Sequence, residues 1–174
     1  MIGYRCAPNS FDCPLVSTGV LAASLGRGGR ALEYAADMSA SDALDPAVEV
    51  EAVHALLSTW LGTDAGPEVL ERFAATQHDT FSMVTTSGAR VSRSELLSSL
   101  RRARNSQPGL DIEISETEVL LTEGNVTVVR FMERHHVGGK HADRWTTAVL
   151  TTSGNPLRYS WRVLHETAVA PADS

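Results

Sequence analysis

LRYSWRVLHET, residues 157–167, alternates in the manner of a half-buried β-strand. One face is expected to carry an indole and an imidazole together: Tyr159, Trp161, Val163, His165 and Thr167. The other face is expected to carry more charge: Arg158, Ser160, Arg162, Leu164 and Glu166. The first face either lines a pocket or closes a core, and the strand alone leaves both interpretations open.

The residues before this strand predict a series of further strands. Alternation runs through residues 110–121, 126–137 and 144–152, and glycine-containing turns separate these segments. Sequential strands joined by tight turns form an antiparallel meander.

Three helices are predicted upstream of the meander. Asp45-Pro46 caps and opens the first helix. Gly66-Pro67 opens a short second helix, which leads into a short strand over residues 80–85. Ser92 and Glu95 form a capping box for the third helix. This order predicts an α+β domain with the helices packed on one face of a strongly curved, mixed or antiparallel sheet.

Composition excludes several classes of protein. The 174 residues carry a net charge of −6 without a basic block, so a nucleic-acid partner has no electrostatic support. The two cysteines, Cys6 and Cys13, exclude a disulfide framework and a thiolate metal site. Lys140 is the single lysine among 15 basic residues, a bias typical of a GC-rich bacterial genome. We expect a cytoplasmic bacterial protein without a membrane partner.

Residues 1–46 are rich in Gly, Ser and Ala and show no sustained period. They predict a flexible extension, followed by a domain over residues 47–168 and a tail over residues 169–174. The mildly apolar residues 15–25 are interrupted by polar side chains, which argues against a secretory signal. Met38 precedes helical sequence and is a candidate second start, in which case the chain before it does not belong to the working protein.

The order of elements resembles that of the nuclear-transport-factor-2-like (NTF2-like) superfamily, which has a cystatin-like cone. Within it, HDTFSMV at residues 78–84, Gly88, Trp161 and LHET at residues 164–167 resemble the family named domain of unknown function 4440. That family typically has His-Pro-Asp-Phe where residues 78–81 read His-Asp-Thr-Phe. SnoaL-like polyketide cyclases and ketosteroid isomerases are more distant relatives. The resemblance implies a conical apolar pocket between sheet and helices, and a homodimer through the outer face of the sheet.

Isomerase-like relatives need an acid–base group in an apolar cavity. The candidate catalytic residues are His165 and Asp79. The alternative for His165 is an imidazole bonded within the protein, and the alternative for Asp79 is a turn cap. Eight residues are the predicted wall of the ligand pocket: Trp60, His78, Phe81, Phe131, Glu133, Arg144, Trp161 and Val163.

Glu133 allows two interpretations. It shares a strand face with Phe131, so it is either buried with a partner or close to solvent. Arg144 and Arg162 are candidate partners, and an ion pair on a solvated sheet face is favoured over a catalytic pair. Glu166, on the face opposite His165, is expected to be a surface or dimer contact.

Three histidines surround the predicted turn at residues 138–139. His135 and His136 are neighbours on a strand and point to opposite faces, so they cannot both bind one ion. His141 adds no familiar ligand spacing, and we expect the three histidines to belong to an exposed hairpin tip. The sequence has no nucleophile elbow, phosphate-binding loop or dinucleotide fingerprint. We predict neither a metal nor a cofactor.

Three functions remain open. The favoured one is a small-molecule-binding domain whose apolar pocket takes a small hydrophobic molecule. The second is a cofactor-free isomerase, cyclase or hydratase acting on a hydrophobic substrate. The third is a dimeric association module in which the cavity is incidental. Whether the protein is an enzyme is left open by the sequence, because a fold does not determine a function.

Overall fold

Capping interactions begin two of the three helices in this computed structural model, which describes residues 45–154 and 158–170. The first helix, α1, is Pro46–Gly62, and the Asp45 carboxylate caps it by accepting a hydrogen bond from the amide of Ala47 at 2.8 Å. The second helix, α2, is Pro67–Thr76 and has proline in its first turn. The third, α3, is Arg93–Arg102 and opens on the predicted capping box.

Six strands form one mixed sheet. In chain order they are β1 Gln77–Val84, β2 Arg90–Ser92, β3 Asp111–Glu123, β4 Val126–Val137, β5 Lys140–Ser153 and β6 Arg158–Ala168. Their spatial order is β2-β1-β6-β5-β4-β3. β1 and β6 are parallel, whereas all other neighbours are antiparallel. The predicted α+β class and the meander are confirmed, and β2 is an additional strand that the sequence did not predict.

The core lies between the helices and the inner face of the sheet. Val50 of α1 and Phe131 and Leu150 of the sheet are fully buried there. Gly62 lets the end of α1 approach the backbone of Leu110, since a Cβ at Gly62 would lie 2.9 Å from the Leu110 carbonyl oxygen.

A bulge interrupts the alternation of β6. Val149 pairs with Val163 and Leu150 pairs with Trp161, so Arg162 is an extra residue on β6. Trp161 and Leu164 are 1% and 9% exposed, whereas Val163 is 43% exposed. The expectation that Trp161, Val163 and His165 share one face is therefore wrong. The extra residue reverses the faces of the residues that follow it, so Val163 and His165 lie on the face opposite Trp161.

Several sequence predictions concern parts of the chain outside the described residues. These are most of the extension over residues 1–46, the alternative start at Met38 and most of the tail after residue 168. In the part of the chain that the structure describes, none of the helices is long and apolar enough to cross a membrane.

Candidate functional site

A cavity of about 640 Å³ lies between the helices and the inner face of the sheet. All three helices contribute to its wall, together with β1, β4, β5 and β6. Most of the lining is apolar, including Leu57, Phe73, Phe81, Met83, Leu96 and Leu164. One side of the cavity is different, because buried charged groups meet there.

Glu133 is the centre of this charged wall. It lies on the inward face of β4 and is 2% exposed. Thr146 Oγ1 donates to Glu133 Oε1 at 2.6 Å, and His135 Nε2 lies 3.0 Å from Oε2. His54 Nε2 of α1 lies 3.5 Å from Oε1. A buried carboxylate requires such partners, since an unpaired charge is costly away from water.

His54 is the cationic partner of Glu133. Its Nδ1 lies 2.7 Å from the carbonyl oxygen of Val50, so this nitrogen carries a proton and donates it. Burial lowers the pKa of His54, but the charge and hydrogen bond of Glu133 and the Val50 carbonyl together outweigh it and raise the pKa. Both ring nitrogens then face acceptors, as the imidazolium form requires. The rings of Phe131 and Trp161 pack edge-on against the imidazole, at 5.3 and 5.9 Å between centroids.

Glu133 is held ionised by the same contacts. Burial raises its pKa, but the positive charge of His54 and the hydrogen bonds from His135 and His54 dominate and hold the pKa well below its usual range. Both of its oxygens are occupied by internal partners. Glu133 therefore orients its neighbours and is not free to accept a proton from a ligand.

His135 lines the cavity beside Glu133. Burial lowers the pKa of His135, and the positive charges of Arg144 and His54 add to this effect against the hydrogen bond to Glu133. A neutral His135 donates its Nε2 proton to Glu133, which leaves Nδ1 as an acceptor. His135 and Glu133 thus form an oriented dyad.

Glu166 and Arg144 extend the charged wall onto β6 and β5. Arg144 Nη1 lies 3.3 Å from Glu166 Oε1, and both side chains line the cavity. Burial raises the pKa of Glu166 in spite of the Arg144 charge. Glu166 is therefore a carboxyl group with proton affinity above the ordinary value.

Two further polar groups border this wall. Trp161 Nε1 donates to Glu49 Oε1 at 3.0 Å, and burial raises the pKa of Glu49. Gln77 also lines the cavity, and its buried Oε1 has no hydrogen-bond partner among the described residues. A buried acceptor without a donor is uncommon in proteins.

Four of the predicted pocket residues line the cavity: Phe81, Glu133, Arg144 and Trp161. Phe131 lies in the core against His54, and Trp60 donates its indole proton to the Leu100 carbonyl at 2.7 Å. His78 bonds the Thr80 hydroxyl. The predicted ion pair of Glu133 on a solvated sheet face is wrong, because Glu133 faces the buried side and Arg144 pairs with Glu166 instead.

Asp79, His165 and Val163 are exposed and do not belong to the cavity lining. The bulge at Arg162 places His165 and Val163 on the outer face and brings Glu166 inward, which corrects the surface location expected for Glu166. Asp79 stands on the exposed part of β1.

Sequence reasoning missed two inward-facing residues besides Glu166. His54 follows Val50 by one helical turn on the buried face of α1, and this spacing was available as a signal. His135 shares the alternating face of β4 with Glu133 but was assigned to an exposed hairpin tip. Within residues 45–154 and 158–170, no group of three or more His, Cys, Asp or Glu side chains is placed to hold a metal ion.

Solved structures resemble this chain over most of its length. An NTF2-like protein of unknown function from Pseudomonas aeruginosa shares 27% identity over 70% of this chain and 96% of its own, with a TM-score of 0.66. An NTF2-like protein of unknown function in nutrient uptake from Rhodospirillum rubrum shares 17% identity over 72% of this chain and 99% of its own, with a TM-score of 0.55.

A protein from Parabacteroides distasonis, provisionally named a ketosteroid isomerase, shares 14% identity over 74% of this chain and 90% of its own, with a TM-score of 0.55. No family model and no curated protein matches the sequence. The likeness therefore concerns structure, and it agrees with the order of helices and strands described above. The chain has the NTF2-like fold.

Proposed function

We propose that this protein is a small-molecule-binding domain of the SnoaL-like type, akin to domain of unknown function 4440, whose cavity takes a molecule with an apolar body. The observation that carries the proposal is the cavity itself. Its volume of about 640 Å³ falls within the range of ligand sites in proteins, roughly 300–1,000 Å³. Mostly apolar walls with a few convergent polar groups are typical of such sites.

The charged wall limits what the ligand can present to it. Glu133 and His54 are paired with each other, so their role is to set the shape and the electrostatic potential of the wall. Gln77 Oε1 lacks a donor among the described residues and is suited to a hydroxyl or amide proton of the ligand. The ligand we expect is mainly apolar, with a hydrogen-bond donor near α2.

Binding of Nile red, a neutral apolar dye, tests this proposal. Leu57 lines the cavity, so Leu57→Trp fills part of it and is expected to reduce dye binding at least tenfold, roughly the loss of 1.4 kcal/mol. Leu120→Trp adds the same ring at an exposed site on β3 and serves as the control. Failure of the wild-type protein to bind the dye, or equal binding by Leu57→Trp, would contradict the proposal.

A second candidate function is cofactor-free acid–base catalysis, as in an isomerase, cyclase or hydratase. His135 is oriented by Glu133 and keeps Nδ1 as an acceptor, while burial raises the pKa of Glu166 on the same wall. In this function His135 takes a proton from the substrate and Glu166 returns one. We place these roles on His135 and Glu166, in preference to His165 and Asp79, because both of the latter are exposed outside the cavity.

Turnover in a panel of cyclic ketones and enones tests this second function. His135→Gln is expected to lower turnover at least about a hundredfold, the usual contribution of a general base. His136→Gln is the matched control, because the neighbouring His136 is more exposed and bonds Glu113. Unchanged turnover in His135→Gln, or its loss in His165→Ala, would overturn this assignment.

We also propose a homodimer that forms through the exposed side of the sheet. Leu121 and Val163 are large apolar side chains of that face that are 50% and 43% exposed, which supports a covered surface in solution. Sedimentation of Val163→Asp against wild type tests this: a monomeric wild type contradicts it. The cysteine count and the arginine bias support a cytoplasmic location in a bacterium.

A further inference from the structure

Charge is distributed unevenly around the cavity. The whole chain has a net charge of −6. The cavity lining contains two carboxylates, Glu133 and Glu166, against three permanent cations, Arg102, Lys140 and Arg144. The two nitrogens of His54 lie 3.5 Å from Glu133 and 2.7 Å from the Val50 carbonyl oxygen, contacts that favour the imidazolium form. The cavity is therefore positive within an acidic protein.

The inner wall is already balanced. Glu133 contacts His54, and Glu166 contacts Arg144, so each buried carboxylate has one cation. An anionic group of a ligand placed at this wall would lie beside two carboxylates and would lose its hydration. The inner wall does not suit an anion.

The rim of the cavity is different. Arg102, the last residue of α3, and Lys140, the first residue of β5, are exposed members of the lining. Arg102 donates to the hydroxyls of Ser98 and Ser99 at 2.8 and 3.3 Å, which are neutral partners. Across the described ranges, neither cation has a salt bridge to a carboxylate. Both charges therefore remain available at the entrance.

We propose that the ligand is an amphipathic monoanion, with its apolar body in the cavity and its anionic group, such as a carboxylate, at the rim, where the exposed Arg102 and Lys140 belong to the lining. This inference rests on the proposed function and adds the class of ligand. The rim keeps the anion in contact with water, which lowers its desolvation cost, while the apolar lining beyond it excludes water from the body of the molecule. The two cations also attract anionic molecules to the entrance.

Calorimetric titration with decanoate and decanol tests this inference, because the two molecules share an apolar chain and differ in charge. At low salt the wild-type full chain is expected to bind decanoate about tenfold more tightly than decanol. The preference is expected to decrease with added salt, because exposed charges are screened. In Arg102→Gln/Lys140→Gln the two affinities are expected to be equal.

Arg101→Gln is the matched control, because Arg101 is exposed on the same turn of α3 but does not line the cavity. It is expected to retain the full preference for decanoate. Equal binding of decanoate and decanol by the wild type, or an equal loss of preference in Arg101→Gln, would overturn the inference and leave the proposed function standing. Absence of binding by both molecules would contradict the proposed function itself.

Discussion

Two neighbouring residues of β4, Glu133 and Arg134, belong to ion pairs that face opposite sides of the sheet. Arg134 donates to both oxygens of Asp143 at 2.8 and 2.7 Å, and the two side chains are 43% and 18% exposed. Glu133 lies 3.5 Å from His54, and its side chain is 3% exposed. The pair near solvent has the better geometry, whereas the pair in the cavity has the longer distance.

Burial, and not distance, decides what each pair contributes. Water and salt screen an exposed pair, so its removal changes stability little even when it is bidentate. A buried pair shows little net gain over apolar packing, but the loss of one partner leaves a charge or a polar group without compensation. The cavity wall is therefore the part of the sheet where single substitutions are expected to matter most.

The largest expected effect is that of Glu133→Ala. It removes the acceptor of His54, His135 and Thr146 together, and we expect the free energy of unfolding at neutral pH to fall by about 3–5 kcal/mol. Urea unfolding measures this change. In a His54→Leu background the same substitution is expected to cost less, because no imidazolium is left unpaired. A loss below about 1 kcal/mol would mean that the Glu133–His54 pair contributes no more to stability than an exposed ion pair does.

Trp161→Phe is expected to have the next largest effect. It leaves Glu49 Oε1 without the indole donor and opens space against Phe131, so we expect a loss of about 1–3 kcal/mol in the free energy of unfolding. Trp145→Phe is the control on the other side of the sheet, where the ring is half-buried and stacks under the exposed Arg130. A larger loss for Trp145→Phe would reverse the comparison between the two faces.

The pH dependence of stability tests the charge on His54. Because the contacts of Glu133 raise the pKa of His54 above its ordinary value of 6.5, its stabilising contribution is fully present below pH 6.5. That contribution is lost as pH rises through the folded-state pKa. Burial lowers the pKa of His135, so protonation of this residue reduces the stability of the fold as pH falls below 6.5. His135 therefore does not cause a loss of stability above pH 6.5.

We therefore expect the denaturant concentration at the midpoint of urea unfolding to fall in the wild type as pH rises above about 6.5. The fall is expected to be absent in His54→Leu, which has no titrating group at this position. An equal fall in both proteins would show that His54 is not the group responsible.

The smallest expected effect is that of Asp143→Asn on the exposed pair. We expect the unfolding midpoint to stay within experimental error of the wild type, and any residual difference to disappear in high salt. A loss as large as that of Glu133→Ala would mean that geometry outweighs burial in this sheet.

Local signals were sufficient to predict much of the fold. The capping residues Asp45 and Ser92 mark the starts of α1 and α3, and glycine-containing turns separate the strands of the meander. The parallel pairing of β1 with β6 was not predicted, because it joins segments far apart in the chain and depends on packing against the helices.

The candidate site was predicted less completely, for one physical reason above all. The alternation of a strand predicts which face a residue lies on only while the register is unbroken. The extra residue at Arg162 reverses the faces of the following residues, so Glu166 lies on the cavity side instead of His165. Glu133 kept its predicted face because β4 pairs with β5 without interruption. His54 was overlooked because a polar residue on an apolar helical face gains its partner from a distant strand.

The central position of β6 has a consequence for the order in which the protein is made. The strand inserts between β1 and β5, so the sheet consists of two separate parts, β2-β1 and β5-β4-β3, until the last strand arrives. A ribosome synthesises this strand after every other element of the described chain. Until then, the edges of β1 and β5 that will pair with β6 remain unpaired. The cavity is therefore completed in a late step that depends on non-local contacts, because Trp161 and Glu166 of its wall belong to β6.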